Sequence, residues 1–182
     1  MLAALSGTPG TGKSNVSALL QKEGYTIISL NELAINQGFV TGIDTERNSK
    51  IIDIDGINDY IDGYYKTDDL IFIEGHASHL LKTADKVIIL RCHPNKLKIR
   101  LEKKGWNQEK IKENIEAETI DVILCETVEL QTEENIFEID TTNKNNNSVL
   151  SSIVEIIKSN FEPTKKYKIG KIDWSEEILN EF

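Results

Sequence analysis

Cysteine is scarce in this chain. Only Cys92 and Cys125 occur among 182 residues, and no Cys-x-x-Cys is formed. A disulfide framework and a cysteine-based zinc site are therefore excluded as organising principles, and a reducing, cytoplasmic setting is expected. Long apolar runs are lacking too. No stretch approaches the roughly 18 residues that a membrane span needs. The opening Met1–Gly7 has no basic segment, so no secretory leader is expected. Positive charge is short, with 21 Lys and Arg against 30 Asp and Glu and a net charge of −9. Such a chain is repelled by a phosphate backbone, so direct sequence-specific nucleic-acid binding is not expected. Apolar residues at 39% and charged residues at 28% nonetheless describe a folding chain, and the length suits one domain.

Apolar runs and helical periodicities alternate along the chain. Leu2–Leu5, Tyr25–Ser29, Leu70–Glu74, Lys86–Arg91 and Glu134–Ile139 read as strands. Ser14–Glu23, Asn31–Asn36, Asp55–Tyr65, Pro94–Lys104 and Val149–Phe161 read as helices. One further helix is predicted from Asn107, its cap, to about Leu130, after a stop at Gly105. Residues 38–49 read as irregular. Near-continuous apolar strands alternating with helices predict a three-layer α/β domain with right-handed crossovers over residues 1–161. Residues 162–182 form a polar tail ending in a short helix after Asp173. There Trp174, Ile178 and Leu179 share a face that packs on the domain or docks a partner.

The sharpest signal is Gly7-Thr8-Pro9-Gly10-Thr11-Gly12-Lys13-Ser14, which fills every fixed position of GxxxxGK[ST] between a strand and a helix. Gly7, Gly10 and Gly12 allow backbone N–H groups to turn inward around phosphate oxygens. The helix N-terminus adds partial positive charge. Lys13 reaches the β- and γ-phosphates, and Ser14 offers a hydroxyl to Mg²⁺. Glu74 ends a buried strand where open α/β sheets bind ligands, and is the candidate metal acid, with Ser14. Gly75 lets the chain pass close to a nucleotide, and His76 can orient water or phosphate. Residues 96–112 hold seven basic residues against Glu102 and Glu109. Arg100 and Lys104 share a helix face there. Alone this is a solvated face; beside a phosphate loop it can close over a transferring phosphoryl group. The spacing of His76, His79 and Cys92-His93 matches no zinc-ligand pattern.

Four motifs taken together, GTPGTGKS, Glu-Gly-His, VIILRCHP and RLEKKGWNQEKIKENIEAE, resemble the adenylate kinase isoenzyme six family, also called coilin-interacting nuclear ATPase. Ser78-His79 and GKIDWSEE are similar to its archaeal branch, and the resemblance covers most of residues 1–160. It implies a nucleoside monophosphate kinase fold with a five-stranded parallel sheet. It implies conversion of ATP and AMP into two ADP, ATP hydrolysis, and a part in small ribosomal subunit maturation through a small-subunit ribosomal protein. By position it implies that Gly10, Gly12, Lys13, Ser14 and Asn15 hold ATP phosphates, and that Lys144 lies near the adenine. Residues 29–52 would form the monophosphate part. A short lid over residues 103–113 would bring Lys104 to ATP, and Arg100 would share in the chemistry. Glu74 stands where eukaryotic members have Asp, and Lys104 where many have Arg, which gives up bidentate clamping. Residues 29–52 carry only Arg47 and Lys50 as cations. Two functional classes follow, a monophosphate kinase and a nucleotide-gated assembly ATPase. A kinase for another small acceptor also fits residues 29–65.

Overall fold

Apolar residues that run without interruption form strands buried on both faces. The computed structural model describes residues 1–45, 49–65 and 69–179. In chain order the elements are β1 (Leu2–Ser6), α1 (Lys13–Lys22), β2 (Thr26–Ser29), α2 (Leu30–Asn36), β3 (Val40–Asp44), β4 (Ser49–Ile52) and α3 (Ile54–Tyr64). Then come β5 (Ile71–Glu74), β6 (Lys86–Arg91), α4 (Pro94–Lys103), α5 (Gln108–Thr119), α6 (Val122–Leu130), β7 (Ile136–Asp140), α7 (Asn146–Lys158) and α8 (Ser175–Leu179).

The main sheet is parallel, with order β2-β5-β1-β6-β7. Along β6 the side chains alternate between layers. Val87 and Ile89 join Leu30, Leu33, Ile57 and Ile61 of α2 and α3 on one face. Ile88 and Leu90 join Val16, Leu20, Val149 and Ile153 of α1 and α7 on the other. Burying both faces is what a parallel sheet with crossover helices requires. The register sets Glu74 beside Leu5 and Ser29. The carboxyl ends of β1, β2 and β5 therefore meet at one edge, where such sheets bind ligands.

Three expectations are corrected. Residues 38–49 are not irregular throughout, because β3 pairs antiparallel with β4. Gly42 sits where the register shifts. Arg47 lies outside the described residues. The helix from 107 to 130 is two helices. Ile120 ends α5, and Asp121 takes a left-handed φ of 58° with its carboxylate on the Arg91 guanidinium. An apolar period continuous through 120 could not show that break, since the ion pair is tertiary. The last strand starts at Ile136, after a 3-10 turn over Glu133–Asn135.

The cap reading agrees with the structure. The Asn107 side chain accepts from Lys110 N at 2.8 Å, and Gly105 follows α4 with φ 73°. The tail packs on the domain. Tyr167 is buried, and its carbonyl accepts from Glu138 N at 2.9 Å. The Trp174 ring lies edge-on to His93 at 4.9 Å, and Glu177 meets His93 at 3.4 Å and Asn95 at 2.8 Å. The side chains of Ile178 and Leu179 lie outside the described residues.

Candidate active site

The glycines of residues 7–14 carry the turn. Gly7, Gly10 and Gly12 have φ of 141°, 96° and 110°. A Cβ on Gly7 would stand 2.4 Å from Leu90 O, and one on Gly10 2.8 Å from Leu97 Cδ1. Helix α1 begins at Lys13 with Gly12 as a cap that offers no side-chain bond. Its first N–H groups thus lack a side-chain partner and face the cleft as an anion cradle.

Lys13 is buried and folded back on the loop, with Nζ donating to Gly7 O at 2.5 Å and Thr8 O at 3.2 Å. Burial brings its pKa down to about 8; Glu74 opposes this shift and Lys104 adds to it. Ser14 Oγ donates to Glu74 Oε1 at 3.3 Å. The hydroxyl and the strand-end acid are thus adjacent, which is the donor pair expected for a magnesium ion bound with phosphates. Among the described residues no cluster of three His, Cys, Asp or Glu is placed to hold a metal by itself.

A cleft of about 1100 Å³ opens from this loop. Gly10, Gly12, Lys13, Ser14, Asn15, Glu74, His76 and Lys104 all line it. Gly7 lies beneath, bonded to Lys13. Arg100 and Lys144 are placed elsewhere. Arg100 donates to Gly10 O (3.4 Å), Thr11 O (3.5 Å), Thr141 O (2.6 Å), Thr142 O (3.2 Å) and Thr141 Oγ1 (3.1 Å). It clamps the phosphate loop to the end of β7 from behind. Lys144 lines a separate cavity of about 110 Å³ with Asp140, Tyr167 and Lys168. Gly75 does serve a close approach, but to α2, since a Cβ there would meet Leu30 Cβ at 2.9 Å.

Two groups were not singled out by motif reading. The first is the fixing of the 75–80 loop. Ser6 Oγ donates to His76 O at 3.1 Å and lies 3.0 Å from His79 Nδ1, while His79 Nε2 meets Glu126 at 2.8 Å. Burial first, then the charges of Lys13, His79 and Lys110, lower the His76 pKa, so the ring is neutral at pH 7.

The second group is a buried charge cluster behind the loop. Arg91 is 2% exposed and pairs with Glu118 at 2.9 Å, Glu138 at 2.5 Å and Asp121. Glu118 Oε2 accepts from Thr8 Oγ1 at 2.5 Å, tying α5 to the phosphate loop. Its Oε1 accepts from Cys92 N at 3.0 Å and Trp174 Nε1 at 3.4 Å. Glu138 accepts from Gly170 N at 2.8 Å, which ties in the tail. A signal was present in the sequence, because Glu118 continues the apolar series Ile111, Ile115 of α5. An acid on a buried face needs a partner.

A family profile described as "AAA domain" matches residues 4–121. A "Putative adenylate kinase" of Archaeoglobus fulgidus is 43% identical, covering 98% of this chain and 94% of that protein. One of Methanocaldococcus jannaschii is 37% identical, covering 99% and 96%. Among solved structures, a thymidylate kinase from Candida albicans superposes with a TM-score of 0.56 at 12% identity, over 87% of this chain and 91% of that one. Shikimate kinase from Acinetobacter baumannii does so with 0.58 at 14% identity, over 87% and 93%. These two likenesses show the shared fold of P-loop kinases. The phosphate loop, the strand-end acid beside it and near full-length identities of 37–43% place this chain in the archaeal "Putative adenylate kinase" family.

Proposed function

We propose that the protein transfers the γ-phosphoryl group of ATP to AMP, giving two ADP. The observation that carries this is the extent of the cleft. It runs from Lys13, Ser14 and Glu74 past His76 to a wall made by Ile120, Val122, Ile123 and Glu126. At about 1100 Å³ it exceeds the ~300–1000 Å³ typical of a single small-molecule site, which suits two nucleotides end to end. The relatives' names support the same pair of substrates.

The chemistry needs no covalent intermediate, because in-line transfer rests on positioning and charge neutralisation. Lys13 leaves its two loop carbonyls to meet the β- and γ-phosphates. Lys104, whose charge already acts on Lys13, supplies a second cation from the lid. Ser14 and Glu74, adjacent at 3.3 Å, would hold a Mg²⁺ ion, which would supply charge neutralisation for the triphosphate. Arg100 keeps the loop in shape from behind. Closure of residues 103–113 excludes water.

A second reading is favoured by one observation. Among the described residues the cleft has no arginine, and Glu113, Glu116 and Glu126 line its acceptor side. An acceptor dianion is held weakly there, which leaves room for water to take the phosphoryl group. In this reading the protein is an ATPase of ribosome assembly that binds a small-subunit ribosomal protein. That role, and the coilin-interacting branch, rest on the sequence resemblance.

Turnover of Mg·ATP with and without AMP, following ATP, ADP, AMP and phosphate separately, decides between them. Consumption of one AMP per two ADP, without free phosphate, is the expected result. Phosphate release at a rate indifferent to AMP would overturn the kinase reading.

A further inference from the structure

Three polar side chains outside the phosphate loop join the elements that border the cleft. Ser6 closes β1 and directly precedes Gly7. His79 belongs to the 3-10 turn Ser78–Leu80, which follows Glu74-Gly75-His76. Glu126 belongs to α6 and lines the cleft. Ser6 and His79 are buried, whereas the Glu126 side chain is 48% exposed. His79 Nδ1 lies 3.0 Å from Ser6 Oγ, and its Nε2 lies 2.8 Å from Glu126 Oε2. The series runs from the cleft wall to the root of the phosphate loop.

Its protons are fewer than its contacts. A neutral imidazole carries one N–H and a serine one O–H. Burial lowers the His79 pKa, with Glu126 opposing the shift, so the ring is neutral at pH 7. A carboxylate only accepts, so Glu126 draws the ring proton to Nε2. Nδ1 then accepts as well, and the Ser6 proton is shared between Nδ1 and His76 O, 3.1 Å from Ser6 Oγ. In the other tautomer Nδ1–H donates to Ser6 Oγ, and the whole Ser6 proton goes to His76 O. The other bonds of the turn do not depend on the tautomer. Ser78 Oγ donates to Gly75 O at 2.9 Å, and Gly75 N donates to Leu5 O at 3.3 Å.

We infer that Glu126, acting through the tautomer of His79, sets how firmly the Ser6 hydroxyl holds the His76 carbonyl, and so positions the Glu74–His76 turn against the phosphate loop. Glu126 and His79 are positioning residues, and neither touches the phosphates. Without the carboxylate, the Nδ1–H tautomer satisfies Ser6 and His76 O together, while water serves Nε2 at the half-exposed end. The tautomer therefore reverses when Glu126 is lost, and the turn is drawn toward β1. The inference rests on the kinase reading for its effect on turnover, but not for the tautomer.

The test combines nitrogen NMR of the imidazole rings with steady-state kinetics on wild type, Glu126→Ala, Ser6→Ala and the double variant. The chain has three histidines, and the His79 signals are assigned by their loss in His79→Gln. Wild type is expected to hold Nε2–H, and Glu126→Ala to hold Nδ1–H. In Glu126→Ala kcat is expected to fall about tenfold, as for other outer-shell partners, with KM for ATP within about twofold. In the Ser6→Ala background the same substitution should cost less than about twofold, because the hydroxyl that transmits it is gone. A merely structural contact would give losses that multiply and one tautomer throughout. An unchanged tautomer or an unchanged kcat in Glu126→Ala, or multiplying losses in the double variant, overturns the positioning role and leaves the kinase reading intact. Wild type that releases phosphate without using AMP overturns the kinase reading, and the same comparison on phosphate release then decides the positioning role.

Discussion

Replacing Glu118 separates two ways in which a buried carboxylate can matter. The residue is 3% exposed and receives four donors, from Thr8, Arg91, Cys92 N and Trp174. Glu118→Ala strands the Cys92 N–H and the Thr8 hydroxyl. Removing one partner of a buried ion pair costs about 3–5 kcal/mol, and an orphaned buried donor about 1–3 kcal/mol. Arg91 keeps Asp121 and Glu138, which holds the ionic part at its low end. With the ionic part and both orphaned donors at their low ends, a total of about 5 kcal/mol is expected, or a fall in melting temperature of about 10–20 °C for a chain of this length. Glu118→Gln retains Oε1 as acceptor for Cys92 N and Arg91, and also relieves repulsion with Glu138 and Asp121. It is expected to cost about 1 kcal/mol. Urea unfolding monitored by circular dichroism, with a nucleotide-binding titration on each variant, gives both readouts. Equal losses in the two variants would show that net charge matters there, not hydrogen-bond satisfaction. A loss under about 1 kcal/mol in Glu118→Ala would refute the anchoring of α5 to the phosphate loop altogether.

Two further outcomes follow from the loop itself. Lys13 has a pKa of about 8, so its charge is present below that pH and lost above it. ADP affinity is expected to fall about tenfold between pH 7 and pH 9, in step with the protonated fraction, and a flat calorimetric profile would contradict the assignment. Because the ordinary value of 10.5 applies to the unfolded chain, the unfolded state binds more protons between about 8 and 10.5, and the Lys13 contribution to stability rises with pH across that window. Gly7→Ala drives a Cβ into a backbone carbonyl of β6, whereas Gly12→Ala meets nothing within 4 Å and bears only the strain of its φ. Gly12→Ala should cost about 1–3 kcal/mol. Gly7→Ala should cost clearly more, down to loss of soluble protein. Equal melting temperatures for the two would show that the approach of Leu90 O is not limiting.

The candidate site was legible where one short segment carries both the chemistry and its geometry. Residues 7–14 state their glycines, their lysine and their hydroxyl in a row, and the flanking strand and helix confirm the context. Glu74 was legible for the same reason, as an acid ending an apolar run. The roles of Arg100 and Lys104 were not separable in sequence, because four residues apart on a helix puts both on one face. Only the packing of α4 against the phosphate loop turns Arg100 toward five carbonyl and hydroxyl oxygens and leaves Lys104 in the cleft. The helix over 107–130 was misjudged because helical periodicity reports a face, not continuity. The β3–β4 hairpin was not legible because residues 38–49 show no clear strand alternation, and the register shift at Gly42 interrupts what there is.

By itself the sequence determined the alternation of strands and helices, the phosphate loop and the cap at Asn107, all of which depend on neighbours within a few residues. The tertiary structure alone decided that Arg91, Glu118, Glu138 and Asp121 meet behind the loop, that Tyr167 and Trp174 bring the tail to that cluster, and that Lys110 shares a cleft with His76. Each of these joins groups far apart in the chain. Buried charges find partners by burial and distance, and neither quantity exists until the sheet has assembled.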